Sequence, residues 1–359
     1  MSAAAVVDRA ALAKATAHRT RRNFVADGAL AMVSGAALLI ILTILAVILF
    51  DVVRQGLPRL SIAFLTEAPR NGMTEGGIFP AIIGMLEMVV LMTLAGVPVG
   101  VATAIYLHEY ASPVSPITRA IRIAVANLAG VPSIVFGLFG LGFFVQFVGS
   151  GIDKLFFHGD KVFGQPALIW AALTMAVLTL PVVIVATEEA LRAVPRELRE
   201  ASLALGATKF QTVLHVAVPQ ASPGILTGTI LAVSRGAGEV APILFTGVAY
   251  FLPQLPRHLS SQFMSPSYHV YVLSTQSPDV DATQPILYAT VLVLLLLTFA
   301  LNLAAVVVRS AVSAARFEMP SALITVGMRM ARKTSAARIS TKVNPALPCR
   351  SVGRSSLSI

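Results

Sequence analysis

One cysteine, Cys349, stands near the end of the chain, and a lone thiol supports neither a disulfide framework nor a thiolate metal site. Charge is scarce too: only 12% of the 359 residues are Asp, Glu, Lys or Arg, against 56% apolar, and the mean hydropathy is +0.80. That balance excludes a soluble domain and reads as a polytopic membrane protein. No Gly-x-x-x-x-Gly-Lys-Ser/Thr stretch occurs, so the chain has no phosphate loop with which to hold ATP. The six histidines are scattered without a His-x-x-x-His pair suited to zinc, and no Gly-x-Ser-x-Gly elbow appears. Neither a catalytic residue nor a metal site is therefore expected, and an intramembrane hydrolase is disfavoured.

What the chain has is apolar runs, each of roughly 20 residues or more, at about 29–50, 79–107, 121–148, 167–187, 223–246 and 285–308. Six spans follow. The first is read as a retained anchor, because the polar stretch before it is long and no small-residue cleavage pattern follows. With both termini in the cytoplasm, twenty of the 27 Lys and Arg residues fall on cytoplasmic segments, six on the opposite loops, and Arg235 inside a span. This is the asymmetry of the positive-inside rule, and it explains the net charge of +10 without nucleic acid.

The expected organisation is a flexible basic N-terminal segment at 1–28, a first span with its external loop at 29–75, a core at 76–310 and a disordered cytoplasmic tail at 311–359. In the core, Pro98 and Pro132 are expected to kink their helices, and Gly137 and Gly140 to let backbones approach. Glu87, about ten residues into the second span, must face protein or water; it either pairs with a cation or is protonated. His108-Glu109 is read as an interface pair at a span end. The external loop 249–285, with Tyr268, Tyr271 and Asp279, is long enough to touch a partner.

Between the fourth and fifth runs lies a polar, basic island, Glu188 to Pro219. Pro195 suits a first helical turn, Leu198, Ser202 and Leu205 recur along one face, and Gly206 ends that helix. Thr208 with Gln211 forms a capping box for a second helix, and Pro219 is expected to bar its continuation beyond Val218. Taken alone, this is a helical hairpin at the membrane surface, with or without a partner.

The island resembles the EAA loop of ABC importer permeases of the binding-protein-dependent (MetI-like) family. The resemblance rests on Glu200-Ala201-Ser202, Gly206 and the closing Val216-Ala217-Val218-Pro219. Ser202 stands where Ala is commoner. The resemblance implies that Glu200, Ala201, Ser202, Gly206 and Pro219 belong to a cytoplasmic element that docks on a separate ATPase dimer, which uses the ATP and Mg. No cofactor is then held by this chain itself.

The fifth run carries Gly228 and then Ser234-Arg235-Gly236-Ala237-Gly238-Glu239-Val240-Ala241-Pro242. Arg235 and Glu239, four apart, are placed on one helical face where they can pair. An Arg at mid-span costs about 2.5–3.5 kcal/mol on insertion scales, so both need partners or a watery path. Gly236, Gly238 and Pro242 suit a helix that packs tightly or bends beside a cavity. The bland reading is an ion pair that only joins helices.

Together with Gly76-Gly77-Ile78-Phe79-Pro80 and Val131-Pro132-Ser133, this segment is similar to the phosphate branch of these permeases, the PstA type. The resemblance places Arg235 and Glu239 on the substrate path. It implies an all-α, multi-pass permease of a bacterial inner membrane with six transmembrane helices, surrounded by lipid. A second homologous permease subunit, an ATP-binding dimer and an external phosphate-binding protein are its implied partners. A related permease for sulfate or molybdate, and a non-transporting scaffold or channel, are the alternatives.

Overall fold

The structure is a computed structural model that describes residues 3–277 and 279–317, with side chains from 27 to 311. The chain begins with α1 (Ala3–Gly56) and α2 (Ile62–Thr66), then a two-stranded antiparallel hairpin, β1 (Pro69–Arg70) and β2 (Glu75–Gly76). Next come α3 (Phe79–Ile105), prolonged by a π-helical Tyr106–Tyr110, and α4 (Pro116–Ala129). A third stretch joins α5 (Ser133–Phe139) to α6 (Ser150–Phe156) through a π-helical Gly140–Gly149. After α7 (Leu168–Arg192) follow the short α8 (Arg196–Ala204) and α9 (Lys209–Thr212). A π-helical Val213–Ala217 leads into α10 (Val218–Gly238), and α11 (Ala241–Leu244), α12 (Pro266–Thr275) and α13 (Val280–Phe317) complete the order.

Six helical stretches are long and apolar enough to cross a bilayer: Asp27–Arg59, Phe79–Tyr110, Ser133–Phe156, Leu168–Arg192, Lys209–Gly238 and Val280–Ala311. The expected six spans are there, with altered edges. Residues before 28, expected to be flexible, are helical from Ala3 and continuous with α1. The third span starts at Ser133 rather than near 121, because Gly130 to Pro132 break the chain after an amphipathic α4. Helix α3 runs unbroken through Pro98. Of the tail expected to be disordered from residue 311, residues 311–317 continue α13 as helix, and the rest, Cys349 included, lies outside the described residues.

Pro219 corrects the sequence reading most clearly: it does not stop a helix but lies in the first turn of α10. A proline ring crowds the carbonyl four residues before it, here that of His215. His215 sits in the π-helical Val213–Ala217 segment, whose wider winding moves that carbonyl aside. The helix therefore continues from the α8–α9 hairpin into the span.

The contacts divide the chain into two compact units, residues up to Leu86 with Gly247–Leu297, and Glu87–Thr246 with the residues from Thr298. In the first, Phe64, Met73, Ile78, Met264, Val272 and Ile286 form a buried core. A Cβ at Gly56 would lie 2.7 Å from the Tyr288 carbonyl oxygen, so α1 and α13 meet there at backbone distance. The apolar side chains of α1 from Leu30 to Phe50 are otherwise exposed, as suits a helix whose surroundings are lipid. His269 on α12, outside the six spans, is 2% exposed, and its Nδ1 lacks a hydrogen-bond partner. Burial lowers its pKa from 6.5 to about 4.

The second unit is organised on α7, which buries Trp170, Ala171, Ala172, Met175, Val183 and Leu191. Its tightest seam is with α10. A Cβ at Gly224 would sit 2.6 Å from the Ala190 methyl, and one at Gly228 would overlap the Ala186 methyl. Two glycines and two alanines, each pair four residues apart, thus bring two helices to backbone contact, the usual device of membrane helices. In the middle of α6, the buried Asp153 carboxylate accepts from the backbone N–H groups of Val162, Phe163 and Gly164 at 3.1, 2.8 and 2.6 Å, which folds the loop before α7.

Two outcomes are expected. Gly228→Leu should force α7 and α10 apart at a cost of about 1–3 kcal/mol, read as a lowered Tm of the detergent-solubilised protein. Gly142→Leu, at a site with no atom within 4 Å, should leave Tm unchanged. Folding holds His269 neutral, so its contribution is complete above 6.5 and is lost as pH falls from 6.5 toward 4. That loss reaches about 3 kcal/mol, and His269→Leu should flatten the decline of Tm over that window.

Candidate functional site

The hairpin between α7 and α10 is built as its residues dictate. Helix α8 ends at Ala204 with Leu205 as its C-cap, and Gly206 takes φ +86°, a conformation that costs glycine little. The Thr208 Oγ1 accepts from the Gln211 N–H at 3.2 Å, while Gln211 Oε1 accepts from the Thr208 N–H at 2.9 Å, closing the capping box. Ser202 Oγ and Thr212 Oγ1, 3.0 Å apart, hold the two short helices together.

The inward face of α8 is formed by Arg199 and Ser202, the two α8 residues that are not exposed. Arg199 has partners to reach, whereas Leu198 and Leu205 remain exposed. Glu200 and Ala201 also face outward, and the same hairpin exposes Leu203, Phe210 and Leu214. An apolar surface around a carboxylate, projecting from a polar loop, has the chemistry of a contact with another protein.

The second constellation sits where helices break. Arg235 Nε lies 3.5 Å from Glu239 Oε1, but the two do not share a helical face: α10 ends at Gly238, and Glu239 is extended at φ −74°, ψ 139°. Arg235 also lines a cavity of about 200 Å³ with Pro132, Ser133, Thr179, Pro181 and Gly236. Three irregularities converge on it, namely the gap between α4 and α5, Pro181 inside α7, and the end of α10. Non-helical backbone at membrane depth is tolerated where it lines a cavity or is buried in protein, so this placement follows from the solvent.

Of the flexible residues expected here, Gly236 is closely packed: a Cβ on it would come 2.9 Å from Met92 Sδ. Gly238 is not, with nothing within 4 Å, and it serves as the helix end instead. Pro242 is buried in the first turn of α11. Ser234 donates to Asn302 Oδ1, joining α10 to α13 within the unit. Glu87 is half-buried, and among the described residues no cation lies within ion-pair distance of it.

A third cluster was not anticipated. Arg122 pairs with Glu188 at 2.8 Å and donates to the Leu107 carbonyl at 2.9 Å. Arg199 lies 3.1 Å from Glu109 and donates to the Leu191 carbonyl at 2.7 Å. Glu109 is thus a partner of α8 as well as a neighbour of His108, which lies 3.9 Å away. The 66-residue separation of Arg122 from Glu188 left no local pattern to read.

A family model described as "Binding-protein-dependent transport system inner membrane component" matches residues 96–314. The chain is 36% identical to the probable ABC transporter permease protein YqgI of Bacillus subtilis over 59% of this chain and 67% of that protein. It is 37% identical to the phosphate transport system permease protein PstA of Haemophilus influenzae, over 61% and 68% of the two chains. For PstA of Mycobacterium leprae the identity is 39% over 50% of this chain, and the match spans only 55% of that relative's length. A bacterial alginate ABC transporter, solved with an alginate pentasaccharide-bound periplasmic protein, shares the fold at TM-score 0.52 and 16% identity, over 72% of this chain and 85% of that one. With six membrane-spanning helices and the family pattern across more than half its length, the chain belongs to the inner membrane components of binding-protein-dependent transport systems, as a multi-pass permease subunit and not an enzyme.

Proposed function

We infer that the chain is the permease subunit of an ATP-driven importer of inorganic phosphate. The observation that carries the reading is Arg235 on a cavity at the meeting point of three helix breaks, with Glu239 beside it. An oxyanion crossing a bilayer needs a positive charge along its way, yet that charge must release it again. Glu239 competes for the guanidinium and so weakens its hold. The pair also favours phosphate over sulfate: a protonated phosphate oxygen donates a hydrogen bond to a carboxylate, whereas fully deprotonated sulfate only repels it. The PstA relatives, phosphate permeases by name, support the same substrate.

In this reading the partners are a second homologous permease subunit, an ATP-binding dimer that uses ATP and Mg, and an external phosphate-binding protein. Both termini lie in the cytoplasm, and the α8–α9 hairpin faces the ATPase through Glu200, Ala201 and the exposed apolar side chains around them. Gly206 sets the turn of that hairpin, Ser202 ties its two helices, and Pro219 begins the helix that carries motion into the bilayer. Closure of the ATPase dimer moves the hairpins, and the core helices rock about the substrate path.

Replacing Arg235 with Gln removes a charge-assisted contact of about 1.5–3 kcal/mol, and labelled phosphate uptake should fall about ten- to hundredfold while the ATPase still co-purifies. Uptake at the wild-type rate would take Arg235 off the path, and competition by excess sulfate would make the substrate another oxyanion. Glu200→Lys, on the exposed face of α8, should abolish co-purification of the ATPase; retained association would place the docking surface elsewhere.

A further inference from the structure

Helix α8 is lightly attached. Ser202 bonds to Thr212 within the hairpin, and among the described residues Arg199 is the one α8 side chain that makes a hydrogen bond or ion pair outside it. Arg199 reaches two helix ends at once, Glu109 beyond α3 and the Leu191 carbonyl at the end of α7. Arg122 of α4 spans the same two ends, through the Leu107 carbonyl and Glu188. Two guanidinium groups, one from the hairpin and one from the core, therefore fasten α3 to α7 where both leave the membrane. The planar fork of arginine, with several donors in fixed directions, suits such a double attachment in a way that lysine does not.

Of the two helices so fastened, α7 lines the Arg235 cavity and α3 packs behind it, against Gly236. Helix α3 carries Met92 to Gly236, some 25 Å along its axis from Glu109 at 1.5 Å per residue. Helix α7 supplies Thr179 and Pro181 to the cavity wall and is seamed to α10 through Ala186 and Ala190. The cluster is also incompletely satisfied. Glu109 Oε1, Glu188 Oε1 and Arg199 Nε are buried without a hydrogen bond, since the Arg199–Glu109 approach is close in distance but not aligned.

We propose that Arg199 is a positioning residue for transport: it couples the docking hairpin to α3 and α7, so that displacement of α8 is delivered to the helices around Arg235. The proposal rests on the importer reading for its transport consequence, and on geometry alone for the attachment.

Two measurements separate these. In the full chain in lipid vesicles, spin labels at the exposed positions Leu203 and Val114 should report one narrow distance. Arg199→Gln should broaden it, Glu109→Gln should do the same, and Arg199→Lys, which keeps the charge but loses the fork that reaches both partners, should also leave it broadened. An unchanged distribution in both Gln variants overturns the attachment. In the assembled complex, Arg199→Gln should lower phosphate uptake at least tenfold while the ATPase subunit still co-purifies in normal amount. Uptake within twofold of wild type overturns the coupling role, and loss of the ATPase overturns it in favour of docking. If the wild-type complex takes up no phosphate, the substrate reading falls, and the spin-label distances still decide the attachment.

Discussion

A backbone N–H or C=O left without a partner in hydrocarbon costs several kilocalories per mole, and water is not there to relieve it. The described architecture follows from that requirement. Spans are helical over nearly their whole length, and where the winding changes, at Tyr106–Tyr110, Gly140–Gly149 and Val213–Ala217, it becomes π-helical rather than opening. Helix is abandoned between Ala129 and Ser133 and after Gly238, and both places border the cavity that holds Arg235. The same solvent that forbids loops elsewhere thus concentrates irregular backbone beside a guanidinium.

The hairpin obeys a different solvent. Outside the apolar phase, α8 and α9 are short and carry caps of their own, a glycine turn and a reciprocal capping box. Short helices are marginal by themselves, and these are held to each other by Ser202 and Thr212 and to the ends of α3 and α7 by Arg199. What they present outward is left apolar around Glu200. A surface of that kind is the complement of a groove, and membership in a family of transport-system membrane components gives it a purpose.

The spans were legible because apolar length is a one-dimensional property, and the capping box and Gly206 because their chemistry is local. The end of α10 was misplaced: residues 239–246 are as apolar as the helix before them, and only Gly238 and Pro242 hint at the break. Pro219 was misread since the relief it needs is a π-turn five residues wide, which no residue type announces. Arg122 and Glu188, or Arg199 and Glu109, become neighbours only when α3, α4, α7 and α8 are brought together, so their pairing had no signature along the chain. The cavity was half visible: Arg235 and Gly236 stood out, whereas Ser133, Thr179 and Pro181 look like ordinary members of apolar helices.

The meeting of Gly224 and Gly228 with Ala186 and Ala190 is made of hydrogens and methyl groups. Such a join has no rotamer to flip and no ion to trade, so under stress it can only stay closed or come apart. Whatever tilts one of these two helices carries the other along. The cavity wall on α7 and the guanidinium on α10 consequently travel as a rigid pair, and any widening of the cavity has to open against some other helix.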